Sequence, residues 1–173
     1  MNEPFKQMLV YLDGSEDSVV AAMAAIALAL RLEAHLTAMY VINTKALGEL
    51  VKARIFLEME EREYRRDIEA DADRYLNHVE KMAAQKGVPF TAVKTSGSVH
   101  TEVKRYVKEN EIDLLVLGGI SHIHSRRDEM VSESDRMMRT APCPVLVVRD
   151  QDQIWDLFES LPNVLAGGID ETT

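Results

Sequence analysis

The residues best suited to do chemistry gather in one stretch, "LGGISHIHSRRDEMVSES", residues 117–134. Gly118 and Gly119 open it, followed by His122 and His124, Arg126 and Arg127, and then acids and serines. Glycines after a strand let backbone N–H groups approach a phosphate, because no Cβ obstructs them. A helix that follows adds its positive end. The two arginines could hold phosphate by charge instead, although loop arginines are ordinarily just solvated. The His-x-His pair, with His100 from a neighbouring strand end, has donors for zinc or copper. It lacks the cysteine or carboxylate spacing of a specific metal site, so no metal is expected.

Two further groups need weighing. Asp13 and Ser15, in "DGSEDS", could serve acid/base or phosphoryl chemistry, but a polar strand end with a helix cap accounts for both. Cys143 stands between Pro142 and Pro144 with Arg139 nearby in sequence. A reactive thiol would need an electropositive, accessible setting; a buried inert cysteine is the ordinary case.

The elements that must position these residues alternate. "QMLVYL" (7–12) is a compact apolar and β-branched strand, and Ser15 or Asp17 can cap the helix after it, with apolar residues at helical spacing to about Ala34. "HLTAMYVI" (35–42) is the second strand. Residues 43–57 are ambiguous, with a short helix around "LGELVKARIFLEM". Residues 60–86 form a long helix with Ile68, Ala72, Tyr75, Leu76, Val79 and Met82 on one face, ended by Gly87 and Pro89. Its charged run, with Glu61 four residues before Arg65, is a solvated face. "FTAVKT" (90–95) is a third strand and "HTEVKRYVKEN" a short helix. "IDLLVLGG" (112–119) is a fourth strand, apolar throughout as one covered on both faces should be. A helix around 129–140 leads to a fifth strand, "PVLVVR" (144–149). Met8, Met23, Met39, Met137 and Met138 are read as core packing. This alternation implies a mostly parallel sheet with helices on both faces.

Bulk properties narrow the function classes. A chain of 173 residues, 46% hydrophobic and 28% charged, suits one α/β domain with a sizeable core. A net charge of −9 argues against sequence-blind nucleic-acid binding and against anionic membrane surfaces. No stretch reaches about 18 uninterrupted apolar residues, so no membrane insertion is expected. The opening "MNEPFKQMLVYLDGS" does not read as a secretory signal, and one cysteine fits a reducing compartment. A cytoplasmic protein is the expectation.

Five signals occur in order: "LVYLDGSEDS", "LTAMYVIN", "TSGSVHTEVKRYVKENEIDLLVLGG", "SDRMMRTA" and "PCPVLVVR". Together they closely resemble the universal stress protein family across about residues 5–149. The pairing of "IDLLVLGG" with "TAPCPVLVVR" at this separation is the specific part. The resemblance implies a five-stranded parallel sheet of the adenine nucleotide alpha hydrolase-like kind over residues 1–149. It also implies a homodimer, and a stress-associated binding protein with no defined reaction. Many members bind ATP through a loop reading Gly, two residues, Gly, nine residues, Gly, then Ser or Thr. Registered back from "PCPVLVV", the first glycine falls on Gly118, the second on Ser121, the third on Val131 and the hydroxyl on Ser132. Two of three glycines are replaced, one by a β-branched valine that suits a positive φ poorly. Asp13 keeps the adenine-side position and Val41 the apolar lining.

The resemblance therefore implies a degenerate nucleotide site and no resident cofactor, with protein partners or a small ligand as what it binds. The alternative is an ATP-binding member with slow or no hydrolysis. An adenylylating ligase is a third class, but "YLDGS" lacks the serine- and glycine-rich phosphate loop such enzymes need. By resemblance the fifth strand is a sheet edge, so an isologous dimer would centre on Val145, Leu146 and Val147. Beyond Arg149 the family pattern is silent. In that extension, residues 150–173, Ile154, Leu157, Phe158 and Leu161 make one stripe of a short helix. Asp150 or Asp152 would cap it, and Pro162 would stop it. Such a helix should dock on its own domain or a partner subunit and partly shield Trp155.

Overall fold

In this computed structural model the described residues are 3–55, 57–119 and 133–164. Five strands and six helices alternate among them: β1 Gln7–Leu12, α1 Glu16–Leu32, β2 His35–Ile42, α2 Thr44–Lys52, α3 Glu58–Lys86, β3 Phe90–Ser96, α4 Val99–Glu109, β4 Leu114–Gly118, α5 Glu133–Thr140, β5 Val145–Val148 and α6 Gln151–Ser160. The sheet is parallel throughout, in the order β3-β2-β1-β4-β5. The central strands are apolar on both faces, and alternate residues serve two cores. Met8, Val10 and Leu12 of β1 face the layer of α1, α3 and α6, whereas Leu9 and Tyr11 face α4 and α5. The α/β architecture anticipated from the alternation is the one observed.

Several boundaries differ from the sequence expectation, each for a local reason. Helix α2 begins at Thr44, not near Leu47, because the Asn43 side chain accepts a hydrogen bond from the Ala46 amide at 3.1 Å. Strand β4 begins at Leu114, not Ile112, since Asp113 instead accepts from the Lys6 and Gln7 amides at 3.0 and 3.1 Å. Helix α1 ends at Leu32, where Glu33 takes a left-handed conformation. Of the paired methionines on α5, Met137 is buried but Met138 is exposed, because only one side of that short helix meets the sheet. Glu61 and Arg65 pair at 2.6 Å, as their spacing predicts.

The terminal helix α6 is present and packs on α1 and the end of α3. Asp150 caps it, accepting from the Gln153 amide at 3.1 Å, and Phe158 and Leu161 are buried with Ile154 packed against the same core. Leu157 does not belong to this face: it is 45% exposed. The packed set is Phe158 and Leu161, both buried, with Ile154 partly buried, at i+4, i+7 and i, so the docked stripe is narrower than the pattern suggested. Trp155, at 43% exposure, is an exposed residue like Leu157, so the shielding expected of it is slight.

Candidate functional site at the carboxyl edge of the sheet

The strand order reverses between β1 and β4, and the carboxyl ends flanking such a reversal are where open parallel sheets form crevices. Asp13 follows β1, and Gly118 closes β4. Asp13 is engaged locally. Its Oδ1 accepts from the Ser15 amide at 2.9 Å and from the Ser15 hydroxyl, while Ser15 Oγ accepts from the Ser18 amide at 3.1 Å and caps α1. The reading of these two residues as strand end and cap accounts for the side-chain hydrogen bonds they make among the described residues.

Gly118 also has a packing role. A Cβ there would lie 2.8 Å from the carbonyl carbon and oxygen of Asp17, in the first turn of α1. A Cβ on Gly119 would lie 3.0 Å from the Val148 carbonyl oxygen. The glycine pair thus lets α1 and β5 approach the end of β4, with no phosphate needed to explain it.

A cleft of about 360 Å³ opens beside Asp13, on the β1–β2 side of the reversal. Its floor comes from Tyr11 of β1 and from Tyr40, Val41 and Asn43 around the end of β2. One wall is α3, through Tyr64, Ile68, Asp71 and Tyr75; the first residues of α4 and α5, Val99 and Glu133, face it. Tyr40 and Tyr75 stack with ring centroids 6.5 Å apart. Gly14, at φ +81°, lies so close to both rings that a Cβ would sit 3.2 Å from the Tyr40 hydroxyl. Every charged residue among the described lining is acidic: Asp13, Asp71 and Glu133.

Burial, reinforced by the charges of Asp13 and Glu133, pushes the Tyr11 phenol well above the ordinary tyrosine range. Burial and Asp13 push Tyr40 up likewise. Both therefore remain neutral hydroxyls. Asp71 pairs with Arg74 on its own helix. Glu133 accepts from the His100 amide at 3.2 Å, and the same oxygen lies 3.1 Å from His100 Nδ1.

Asp13 and Val41 line one cleft, and Gly118 ends the neighbouring strand β4. Ser121, Val131 and Ser132 lie outside the described residues, as do His122, His124, Arg126 and Arg127. His100 is tied to Glu133, and no group of three potential metal ligands occurs among the described residues. Cys143 is half-buried, and burial pushes its thiol up, which disfavours the reactive thiolate. Tyr11, Tyr40, Tyr64, Tyr75, Asn43, Asp71 and Glu133 were not singled out as site residues from sequence. No helix among the described residues is long and apolar enough to cross a membrane.

Comparison with known proteins bears on the family and the fold. The model of the universal stress protein family matches residues 4–149. The universal stress protein YxiE of Bacillus subtilis strain 168 is 30% identical over 153 residues, covering 84% of this chain and 99% of the relative. The solved universal stress protein UspA from Lactobacillus plantarum is 27% identical at a TM-score of 0.59, covering 86% of this chain and all of that one. A universal stress protein family protein from Arabidopsis thaliana, solved with AMP bound, has a TM-score of 0.56 at 17% identity, covering 84% and 93% of the two chains. The fold, the order of the motifs and these matches coincide over the same residues, and the chain belongs to the universal stress protein family.

Proposed function

We propose that this chain is a non-enzymatic, cytoplasmic stress-response protein whose nucleotide-binding loop is degenerate, and that it acts through dimerisation and the binding of a partner or small ligand. One observation carries the reading: the described lining of the cleft presents three carboxylates and no lysine or arginine. A nucleotide's phosphates are polyanionic, and like charges at close range in a partly desolvated cleft repel strongly. The replacement of two loop glycines by Ser121 and Val131 removes backbone donors' access on top of that repulsion. The competing reading, an ATP-binding member with slow or no hydrolysis, draws on Asp13 and Val41 in the cleft, on Arg126 and Arg127 in the loop, and on the AMP-bound Arabidopsis relative of the same fold.

Thermal denaturation separates the two. Millimolar ATP with magnesium should leave the melting temperature nearly unchanged, whereas a ligand at 100 times its dissociation constant would add about 2.7 kcal/mol of stability. A clear upward shift at micromolar ATP would refute the degenerate reading. The double reversal Ser121→Gly with Val131→Gly should raise affinity if missing glycines are the cause.

Dimerisation is argued from β5, an edge strand. The Pro144 and Val148 carbonyls accept hydrogen bonds from β4, so these alternate residues face inward along the ladder. Val145 and Val147 therefore turn their backbone groups outward, and Leu146 is 38% exposed. A two-fold copy of the strand would pair those groups around Val145, Leu146 and Val147. Val147→Pro removes an outward donor without breaking the β4 ladder and should shift the protein to monomer in light scattering. Wild-type protein that stays monomeric at tens of micromolar would rule the dimer out.

A further inference from the structure

We infer that the cleft over Tyr11 and Tyr40 takes a small organic cation, an ammonium group on an apolar or aromatic body. The inference rests on the reading that phosphates are not its ligand, and it names the chemical class that the lining fits. The volume, about 360 Å³, is within the range of small-molecule pockets. Acidic side chains approach it from three separate elements: Asp13 after β1, Asp71 from α3 and Glu133 from α5. Tyr40 and Tyr75, whose rings stack, and Tyr64 line it as well, and a cation is drawn both to carboxylates and to the negative face of a tyrosine ring.

An independent observation concerns Tyr11. Its side chain is only 7% exposed, yet its hydroxyl is not among the solvent-sealed atoms left without a partner, and the part of it that stays open lines the cleft. The groups that act electrostatically on this phenol, Asp13, Glu133 and Tyr40, all line the cleft, so the hydroxyl end is the part that faces it. Held neutral, it keeps its oxygen lone pairs available to an N–H donor. The existing partners of the acids are Ser15 for Asp13, Arg74 for Asp71, and His100 and Arg136 for Glu133, and none of the four lines the cleft. A ligand that donates N–H bonds and carries positive charge suits both the phenol oxygen and the acidic side chains of the lining.

The test is a series with one body and three charges, titrated calorimetrically into the full chain: phenethylamine, 2-phenylethanol and phenylacetate, with magnesium ATP alongside. Phenethylamine should bind about tenfold more tightly than the alcohol, the amount one charge-assisted hydrogen bond supplies, and phenylacetate should not bind. Tyr11→Phe and Asp71→Asn should each weaken the amine several-fold, while Asp152→Asn on α6, equally acidic but remote from the cleft, should not. Equal binding of all three compounds, loss of amine binding in Asp152→Asn, or no binding of the amine overturns the inference. If ATP binds at micromolar concentration, the degenerate-site reading fails as well. If neither ATP nor the amine binds, only the present inference fails.

Discussion

Gly118→Ala should destabilise the protein by about 3 kcal/mol, at the upper end of what one overpacked methyl group costs. The new Cβ would meet the Asp17 carbonyl carbon and oxygen at 2.8 Å and the Ser18 amide nitrogen at 3.1 Å. Those are backbone atoms of the capped first turn of α1, so no side-chain rotation relieves the contact. Either β4 shifts away from β1 or α1 rises off the sheet, and each loses part of a fully buried core that includes Val116 and Ala21. Gly119→Ala should cost less, since its nearest contact is 3.0 Å, from one carbonyl oxygen near the end of β5. Urea denaturation without nucleotide decides the matter: an unchanged midpoint for Gly118→Ala would mean that this glycine is not required by packing. The expected loss would locate its role in helix–sheet contact.

The parts of the fold legible in sequence were those fixed by short-range pattern. "QMLVYL" and "HLTAMYVI" are apolar runs bounded by polar residues, and β1 and β2 have those bounds. The start of α2 was hidden because it is set by the Asn43 side chain as a cap, ahead of the first buried residue of the helix, Leu47. Asp113 could not be separated from β4 by pattern, because the amides it satisfies belong to Lys6 and Gln7, at the other end of the domain in sequence. Lys86 is a stronger case. A lysine near a helix end reads as solvated, yet it is 4% exposed because residues far along the chain cover it.

The site was legible only where the family motif touched it. Asp13 and Val41 were found through that resemblance. Tyr11 and Tyr40 sit at the ends of apolar strands, where a tyrosine reads as core, and both do pack into the two cores. Their hydroxyl ends matter only because α3 brings Asp71 and Tyr75 opposite them and α5 brings Glu133. That convergence of four elements has no fixed spacing in sequence. A usable signal was present nonetheless: tyrosine in place of an aliphatic residue at the last turn of a buried strand carries a polar tip that must emerge somewhere.

Phe158→Ala should cost about 3 kcal/mol and release the terminal helix. Helix α6 has ten residues, too few to persist alone in water, so its order depends on docking. Phe158 is the centre of that contact, buried against the core that α1 and α3 share. It also forms part of the setting of Lys86, whose Nζ lies 4.7 Å from the ring centroid and donates to the Leu161 carbonyl at 2.9 Å and to Asn163 Oδ1 at 2.8 Å. With no carboxylate among these partners, the ammonium is held by carbonyl dipoles and the aromatic face, and both come from the docked segment. Removing the ring opens a cavity beside a buried charge, which water can relieve only by entering where the helix now lies. Undocking is thus favoured over a local gap. Trp155, the only tryptophan, reports it: its emission should move toward that of free tryptophan, and acrylamide should quench it more strongly. Leu157→Ala is the matched control. It lies one residue away on the same helix but is 45% exposed, so its cost should stay within about 0.5 kcal/mol. If both substitutions cost the same, or if Phe158→Ala leaves the Trp155 emission unmoved, the helix does not dock by the face described.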